Sequence, residues 1–493
     1  MFKIILSTLN FKKYWVQKIS AFLLIFVPVS ILIVVAPSNA TANPQELVTE
    51  QSRSATQITS TNESQNFNFH VQNTDILQWH PPFPAAYSGP HSLKNISEDA
   101  ETVNLDIFLG FKLWHGGALH LDGLMWQGQG LSGTLGIEDF PNGDAFKSGT
   151  KIPNFSFAHL FIRQTFGLGG KQENIKDGQL TLAGKQDISH LTFMLGRMTP
   201  LDIFDHNTYA DNPNTQFLNW ATMSNMTFDY GQDTIGYETG FMAELNQPKW
   251  ALRYGFFPMP QYTNYQNIGS GNGGDDELLT WPASGAYLPL LKSWNQAVEL
   301  ELRYRIQSHS GTVRLLAWLT HSYMDSYTAA TTILLTDGPN ANIAPAEAWH
   351  YAYGFGLNWE QEIKKGIGLF SRLGWNDGQT QALEFTDANW TASLGLSLNG
   401  AIWDRTGDSC GVAEIISGAS LANQRFLEAG GLGILAGDGT LTYGPENVVE
   451  VYYNCKFFNF INITLDGQYV TNPAFNQARG PVPVFAVRTH WSY

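Results

Sequence analysis

In this 493-residue chain, the side chains best placed to bind a polar solute are charged residues that alternate with apolar ones. Between positions 298 and 306, Glu299, Glu301, Arg303 and Arg305 occupy every second position, and aliphatic or aromatic residues lie between them. Successive side chains of a strand point to opposite faces, so the four charges share one face of a predicted strand. Carboxylates accept hydrogen bonds and guanidinium groups donate them. Such a face could therefore bind hydroxyl groups.

The same alternation places further charges on the polar faces of other predicted strands. Those candidates are Asp106, Lys112, Arg163, Glu238, Arg253, Arg314, Glu360, Arg372, Glu450, Lys456, Asp466 and Arg488. We expect Arg163, Arg303, Arg305 and Arg372 to form a polar track, because neighbouring acids would hold their planar N–H groups in fixed positions. The alternative is that most of these charges pair with one another and only solvate the polar face.

Motifs that indicate catalysis or cofactor binding are weak or missing. The pattern G-x-G-x-x-G occurs at 128–133, but no helical or βαβ pattern follows it, so a dinucleotide site is not expected. The chain has no H-E-x-x-H motif among its 12 histidines. We therefore expect neither an enzyme nor a cofactor.

Acidic loop residues and the two cysteines leave two questions open. The acids form two groups: Asp275, Asp276 and Glu277, and Asp202, Asp205 and Asp211. Either group could bind Ca²⁺, which prefers oxygen ligands, although a solvated loop is the simpler interpretation and we predict no metal site. Cys410 and Cys455 would lie at the same end of adjacent antiparallel strands, so a disulfide there is an alternative to two free thiols.

The first 42 residues have the pattern of a secretory signal peptide. Four lysines and no acid lie among them, an apolar run spans 21–36, and small residues follow it. An uncleaved anchor is the alternative, but the apolar run is short for a membrane span of about 20 residues. We expect residues 43–100 to be a partly flexible N-terminal segment of the exported protein, because 43–74 are polar and lack periodicity. Cleavage would change the net charge from −15 to −19, which argues against nucleic acid as a partner.

From residue 102 onward, polar and apolar residues alternate in runs of about ten. A soluble sandwich would bury the apolar faces, whereas a membrane barrel would turn them toward lipid and the polar faces toward a lumen. Runs of about 9–11 residues suit tilted strands that cross a bilayer. Aromatic residues at the ends of runs match the girdles at the two lipid interfaces. These are Trp349, Tyr351, Trp359, Trp375, Trp390 and Tyr469. The pattern favours an all-β antiparallel transmembrane barrel over residues 101–493.

The number of alternating runs predicts about sixteen strands. We count roughly fifteen runs, and single-chain bacterial barrels normally have an even number of strands. The short run at 179–184 is a candidate for the missing strand. Segments 128–156, 198–233, 258–296 and 322–348 are rich in Gly, Pro, Asn and Asp and are predicted to be long extracellular loops, some folded into the lumen. In strand 298–306, the even positions should face lipid and the odd positions the lumen.

The last predicted strand has aromatic and apolar residues on one face, namely Phe485, Val487, Trp491 and Tyr493 with Thr489 between them. Such a strand resembles the assembly signal of bacterial outer-membrane proteins, so we expect the barrel assembly machinery to be a partner. The alternative is an ordinary edge strand. A closed barrel would remove the exposed edge, which otherwise promotes aggregation.

Six segments in order resemble the carbohydrate-selective porins of the OprB type. They are 80–93 (beginning HPPF and ending YSGPHSL), 127–134 (QGQGLSGT), 140–143 (FPNG), 163–170 (RQTFGLGG), 202–220 and 468–482. Each segment alone is a weak signal, but together they extend over almost all of the exported chain. The resemblance implies a sixteen-stranded barrel in the outer membrane of a Gram-negative bacterium. It also implies facilitated diffusion of mono- or oligosaccharides into the periplasm.

Other functional classes remain as alternatives at the level of sequence. These are a general non-selective porin, an outer-membrane barrel with hydrolase activity, and a soluble secreted sugar-binding sandwich. The partners expected for the porin are a carbohydrate solute and outer-membrane lipid. A monomer and a homotrimer are both compatible with the sequence.

Overall fold

The computed structural model describes residues 64–146, 149–232, 235–259, 292–458 and 460–493. The predicted signal peptide, the acidic group at 275–277 and most of the predicted loop 258–296 lie outside these residues.

Sixteen strands pair in antiparallel fashion and close into one barrel, in which β1 pairs with β18. The barrel strands are β1 Phe67–His80, β2 Glu98–Trp114, β3 Gly117–Gly128, β4 Asn154–Gly167, β7 His190–Met198, β8 Glu238–Gln247, β9 Trp250–Pro258, β10 Trp294–Ile306, β11 His309–Asp325, β12 Glu347–Lys364, β13 Ile367–Asn376, β14 Trp390–Asn399, β15 Ser409–Gly418, β16 Glu446–Phe457, β17 Ile461–Thr471 and β18 Val482–Ser492. Strands β5 Gln172–Ile175 and β6 Gly184–Asp187 form a separate hairpin between β4 and β7. The predicted fold class is confirmed.

The alternation read from the sequence is present in the barrel wall. In β10, Val298 and Leu302 are 43% and 42% exposed, whereas Glu299 and Glu301 are 0% and 4% exposed. The apolar side chains therefore point outward and the charged ones point into the barrel. A shift of one residue in this register would turn the charges toward lipid, at a cost of about 2–4 kcal/mol for each arginine near the midplane.

Two features of the strand assignment differ from the prediction. The barrel begins at Phe67, ahead of the expected boundary at residue 101. The outward positions Asn73 and Asp75 interrupt the apolar face of β1, which hides its alternation. Segment 179–184 is not a barrel strand, because β4 pairs directly with β7 and Gly178 forms an isolated bridge with Thr181.

Short helices lie in the segments between strands. They are α1 Trp220–Met223, α2 Tyr327–Asp337 and α3 Leu421–Glu428, and they begin after the capping residues Asn219, Ser326 and Ser420. Each cap accepts a hydrogen bond from a backbone N–H of the first turn, which satisfies one of the free donors there. None of the helices among the described residues has the length and apolar character of a membrane span.

Apolar side chains also form a core inside the barrel. Trp220 stacks between Phe140 and Phe385 with ring centroids 5.1 and 5.0 Å away. Phe217 packs against Phe370 of β13 at 5.3 Å and Tyr452 of β16 at 4.7 Å. These contacts join the long connections after β3, β7 and β13 to each other and to the wall. The long connections therefore fold into the lumen.

Candidate functional site

The connection between β7 and β8 lies inside the barrel, and its residues 199–232 are called the lumen loop below. Carboxylates of the wall accept hydrogen bonds from its backbone. The N–H of Asp205 donates to Glu299 at 2.7 Å, and the N–H of Thr208 donates to Glu360 at 2.6 Å. Three donors, the N–H groups of residues 218 and 219 and the hydroxyl of residue 222, reach Glu450 on β16. The predicted lumen acids thus fix the loop to the wall.

Two predicted lumen arginines hold the same loop. Arg372 donates to the carboxylate of Asp205 at 2.9 Å and to the carbonyl of Thr222 at 2.7 Å. Arg488 donates to the carbonyls of Pro213 and Gln216. Their exposed fractions are 1% and 0%, so neither side chain presents a surface to a solute. Arg372 was expected to belong to the polar track, but its contacts make it an anchor of the lumen loop.

An ion-pair network connects β8, β9, β10, β11 and β12. Arg253 contacts Glu244 at 2.7 Å, Glu299 at 2.7 Å and Glu301 at 2.9 Å. Arg314 contacts Glu301 at 2.9 Å and Glu360 at 3.5 Å. Most of the network is buried, and its charges are paired. It satisfies groups that would be costly to leave alone in the barrel interior.

The opposite side of the lumen loop is held by a histidine between two acids. His159 of β4 lies 3.0 Å from Asp122 of β3 and 3.0 Å from Asp202 of the loop. A further contact joins Thr74 of β1 to Asn214 of the loop at 3.1 Å. The loop is therefore attached to β1 and β4 as well as to β10, β12, β13, β16, β17 and β18.

Part of the lumen loop carries polar side chains that remain accessible. His206, Asp211 and Asp202 have side chains that are 43%, 30% and 19% exposed. The ring of His206 contacts the Asp211 carboxylate at 3.2 Å and the Asp202 carbonyl at 2.8 Å. Burial disfavours the charged ring, but Asp211 outweighs it and raises the pKa of His206. These three residues form what we call the open face of the loop.

The remaining predicted residues lie at different places on the inner wall. Arg163 is half-buried and donates to the carbonyl of Leu180 at 2.8 Å. Arg303 is one third exposed and contacts Glu301 and Asn246. Arg305 is exposed beside the turn that follows β10. Asp106 is buried and accepts from Gln72 at 2.9 Å, and Glu238 is buried at the start of β8.

The sequence did not reveal the open face as a solute site. The sequence pattern indicates Asp202 and Asp211 only as possible calcium ligands, and it does not single out His206. Asp205, the third acid of that group, is bonded to Arg372 and to the N–H of Asn225. Within the described residues, no cluster of acids, histidines and cysteines is arranged to hold a metal ion. Segment 202–220 is one of the six segments that resemble a known family, and this resemblance is the sequence signal that points to the loop.

The two cysteines are free. Cys410 pairs with Tyr453, and Cys455 lies two residues further along β16. This diagonal position separates side chains by about 7–8 Å, which is too far for a disulfide, since bonded cysteines have Cβ atoms about 3.8 Å apart. The disulfide alternative is therefore not realised.

Comparisons with known proteins find one matching family and several similar solved structures. The model of the carbohydrate-selective porin, OprB family, matches residues 91–493. The OprB structure of Pseudomonas putida at high pH is similar with a TM-score of 0.64 and 14% identity, over 87% of this chain and 94% of that chain. The outer-membrane channel DcaP of Acinetobacter baumannii has a TM-score of 0.46 and 8% identity, over 87% of this chain and 97% of that one. No curated protein sequence matches the chain.

Proposed function

Because the chain belongs to the OprB family of carbohydrate-selective porins, we propose that its open face is where sugars are selected. The protein is an outer-membrane porin of a Gram-negative bacterium that admits carbohydrates by facilitated diffusion. The observation that carries the proposal is the lumen loop, which wall acids and arginines fix inside the barrel while Asp202, His206 and Asp211 stay accessible.

The solute path runs between the open face and the wall formed by β1 to β4. The lumen loop touches β4 through Asp202 and β1 through Asn214, and the connection between β4 and β7 reaches the same wall, where Gln179 donates to Gln72. Gln72 and Arg163 are partly accessible on β1 and β4. Arg303 and Arg305 lie on β10, on another part of the wall, near the turn end where the sugar leaves for the periplasm. The track therefore consists of Arg163, Arg303 and Arg305 without Arg372.

The chemistry of this path suits a neutral sugar. Carboxylates accept from sugar hydroxyls and guanidinium groups donate to them, and hydrogen bonds to charged groups contribute about 1.5–3 kcal/mol each. Binding must also be weak enough for release, because conduction requires the solute to leave. The acidic net charge of −15 neither attracts nor repels an uncharged solute, so the pattern of donors and acceptors decides selectivity.

Block of ion current by sugars tests the proposal. The full-length protein is inserted into planar bilayers, and glucose and maltose are titrated against single-channel conductance. Asp211→Asn should weaken the block several-fold, because it removes a charged acceptor and preserves shape. Asp337→Asn, at an exposed acid in α2, is the matched control and should leave it unchanged. If neither sugar blocks the wild-type current, the channel is a general porin.

The barrel has no catalytic role in this proposal, and its partners follow from its surfaces. Purified protein should hydrolyse nitrophenyl esters and glycosides no faster than buffer, and turnover would favour the hydrolase alternative. The apolar outer face contacts outer-membrane lipid, and the barrel assembly machinery inserts the chain. Mass photometry in detergent separates a monomer from a homotrimer. Residues 1–42 act as the signal that directs export.

A further inference from the structure

A cleft of about 330 Å³ lies among the long connections at the extracellular end of the barrel. Its walls come from the end of β11, from α2 and the residues after it, and from the connections that follow β13 and β15. This volume falls at the low end of the range of about 300–1,000 Å³ that is typical of small-molecule sites. No residue of the lumen loop lines it.

An acidic side chain in the cleft wall has an unsatisfied atom. Asp325 is 1% exposed, and its Oδ1 has no hydrogen-bond partner among the residues that the structure describes. Buried polar atoms are normally paired, because an unpaired one has lost its hydrogen bonds to water without replacing them. The carboxylate is therefore suited to accept hydrogen bonds from a molecule that occupies the cleft.

The rest of the wall combines apolar surface with accessible backbone. Leu334, Ile343 and Ile434 supply the apolar part. Gly430 has a φ of +90°, and a Cβ there would come within 2.8 Å of Pro339. A glycine at this position therefore keeps the backbone beside the cleft open. The amide of Gln381 donates to the carbonyl of Leu432 at 3.1 Å and ties two of the connections together.

We propose that this cleft is a sugar-binding site at the extracellular mouth, where a single sugar ring or a disaccharide docks before it enters the lumen. The carboxylate of Asp325 accepts from ring hydroxyls, and the apolar side chains pack against the C–H face of the ring. A wall that is largely apolar favours a neutral ligand over a hydrated cation, which would need more than one buried acid. The inference rests on the proposed function for the class of ligand.

Protection of an introduced thiol locates the site. Cys410 and Cys455 are replaced by serine, and Ala341→Cys places a single thiol in the cleft wall of the full-length protein. Glucose and maltose should slow its reaction with a water-soluble maleimide several-fold. Adding Asp325→Ala should abolish the protection, whereas adding Asp337→Ala, at an exposed acid of α2, should preserve it.

The outcomes separate this inference from the porin function. Liposome swelling on the same variants reports sugar passage through the lumen, and none of the substitutions touches the open face. If neither glucose nor maltose slows maleimide labelling at position 341, the proposal is overturned. This holds even if liposome swelling shows that sugars pass through the lumen. Protection by ethanolamine but not by sugar would also overturn it, because the occupant would then be a cation. Protection that survives Asp325→Ala would exclude the carboxylate as the sugar's partner.

Discussion

Among the inward charges, burial separates residues that anchor the lumen loop from residues that can meet a solute. Arg372 and Glu299 are 1% and 0% exposed, and each bonds an atom of the lumen loop. The side chain of Arg303 is 33% exposed and has a free surface. A charge that is already desolvated and paired gains nothing from a passing sugar. Accessible charged residues such as Arg303 should therefore determine which sugars the channel selects.

Loss of the Arg372 anchor should release the lumen loop. Arg372→Ala removes the cationic partner of the Asp205 carboxylate and a donor to two loop carbonyls, and breaking a buried ion pair costs about 3–5 kcal/mol. We expect higher and noisier single-channel conductance with weaker sugar block. Arg305→Ala, at an exposed arginine of the neighbouring polar surface, should keep quiet openings. Equal noise in the two variants would show that Arg372 does not hold the loop.

The pair of His206 and Asp211 should make the open face sensitive to pH. The folded protein raises the pKa of His206 above its ordinary value of 6.5, so the charged pair stabilises the loop fully below that pH. The stabilisation is lost as pH rises through the higher value. Sugar block should therefore weaken with rising pH above 6.5, and His206→Gln should flatten that part of the profile. If His206→Gln shows the same pH dependence of sugar block as the wild type, the titrating group is a different residue.

At the scale of elements, the alternation of polar and apolar residues identifies the two faces of each strand. It does not identify the residues that contact those faces. The outward and inward sets of β10 follow directly from alternation, because each strand has only two faces. The bond between Arg372 and Asp205 joins residues 167 positions apart, and nothing in either local pattern indicates it. For the same reason, the anchoring role of Glu360 and Glu450 became visible only in the folded chain. Strand β1 was missed because Asn73 and Asp75 break its apolar face.

Cysteine labelling along β10 tests which residues face the lumen and which face lipid. It also tests whether the lumen loop shields inward residues from solvent. Arg305→Cys should react quickly with a water-soluble thiol reagent, because that position is inward and exposed. Leu302→Cys faces lipid and should react only with a membrane-soluble reagent. Glu299→Cys should react slowly although it points inward, since the loop covers it. The endogenous cysteines are replaced by serine first. Fast aqueous labelling at 302 would contradict the register.

At the scale of the whole molecule, the barrel and its contents stabilise each other. Among the described residues, the lumen loop has bonds to eight of the sixteen strands, so it links distant parts of the wall that do not pair directly. In turn, closure of the wall positions the acids and arginines that hold the loop. Formation of the selective path should therefore depend on closure of the barrel at the pairing of β1 with β18.

Interruption of the closing strand should prevent assembly of the molecule. Ala486 lies on the inner face of β18, opposite Gln78 of β1 and Asp466 of β17. Ala486→Pro removes a backbone donor between two strands, and proline in the interior of a sheet is disfavoured for that reason. We expect loss of the folded band on unheated gels and loss of the protein from outer-membrane fractions. Ala486→Ser keeps the N–H and should assemble normally, so the comparison isolates the backbone bond. The natural proline of this strand, Pro483, lies one residue from the end of the β17–β18 pairing, whereas Ala486 lies further inside it. Because the backbone N–H groups of even-numbered β18 residues face β17, normal membrane levels of Ala486→Pro would mean that an unbroken β17–β18 ladder is not required for assembly.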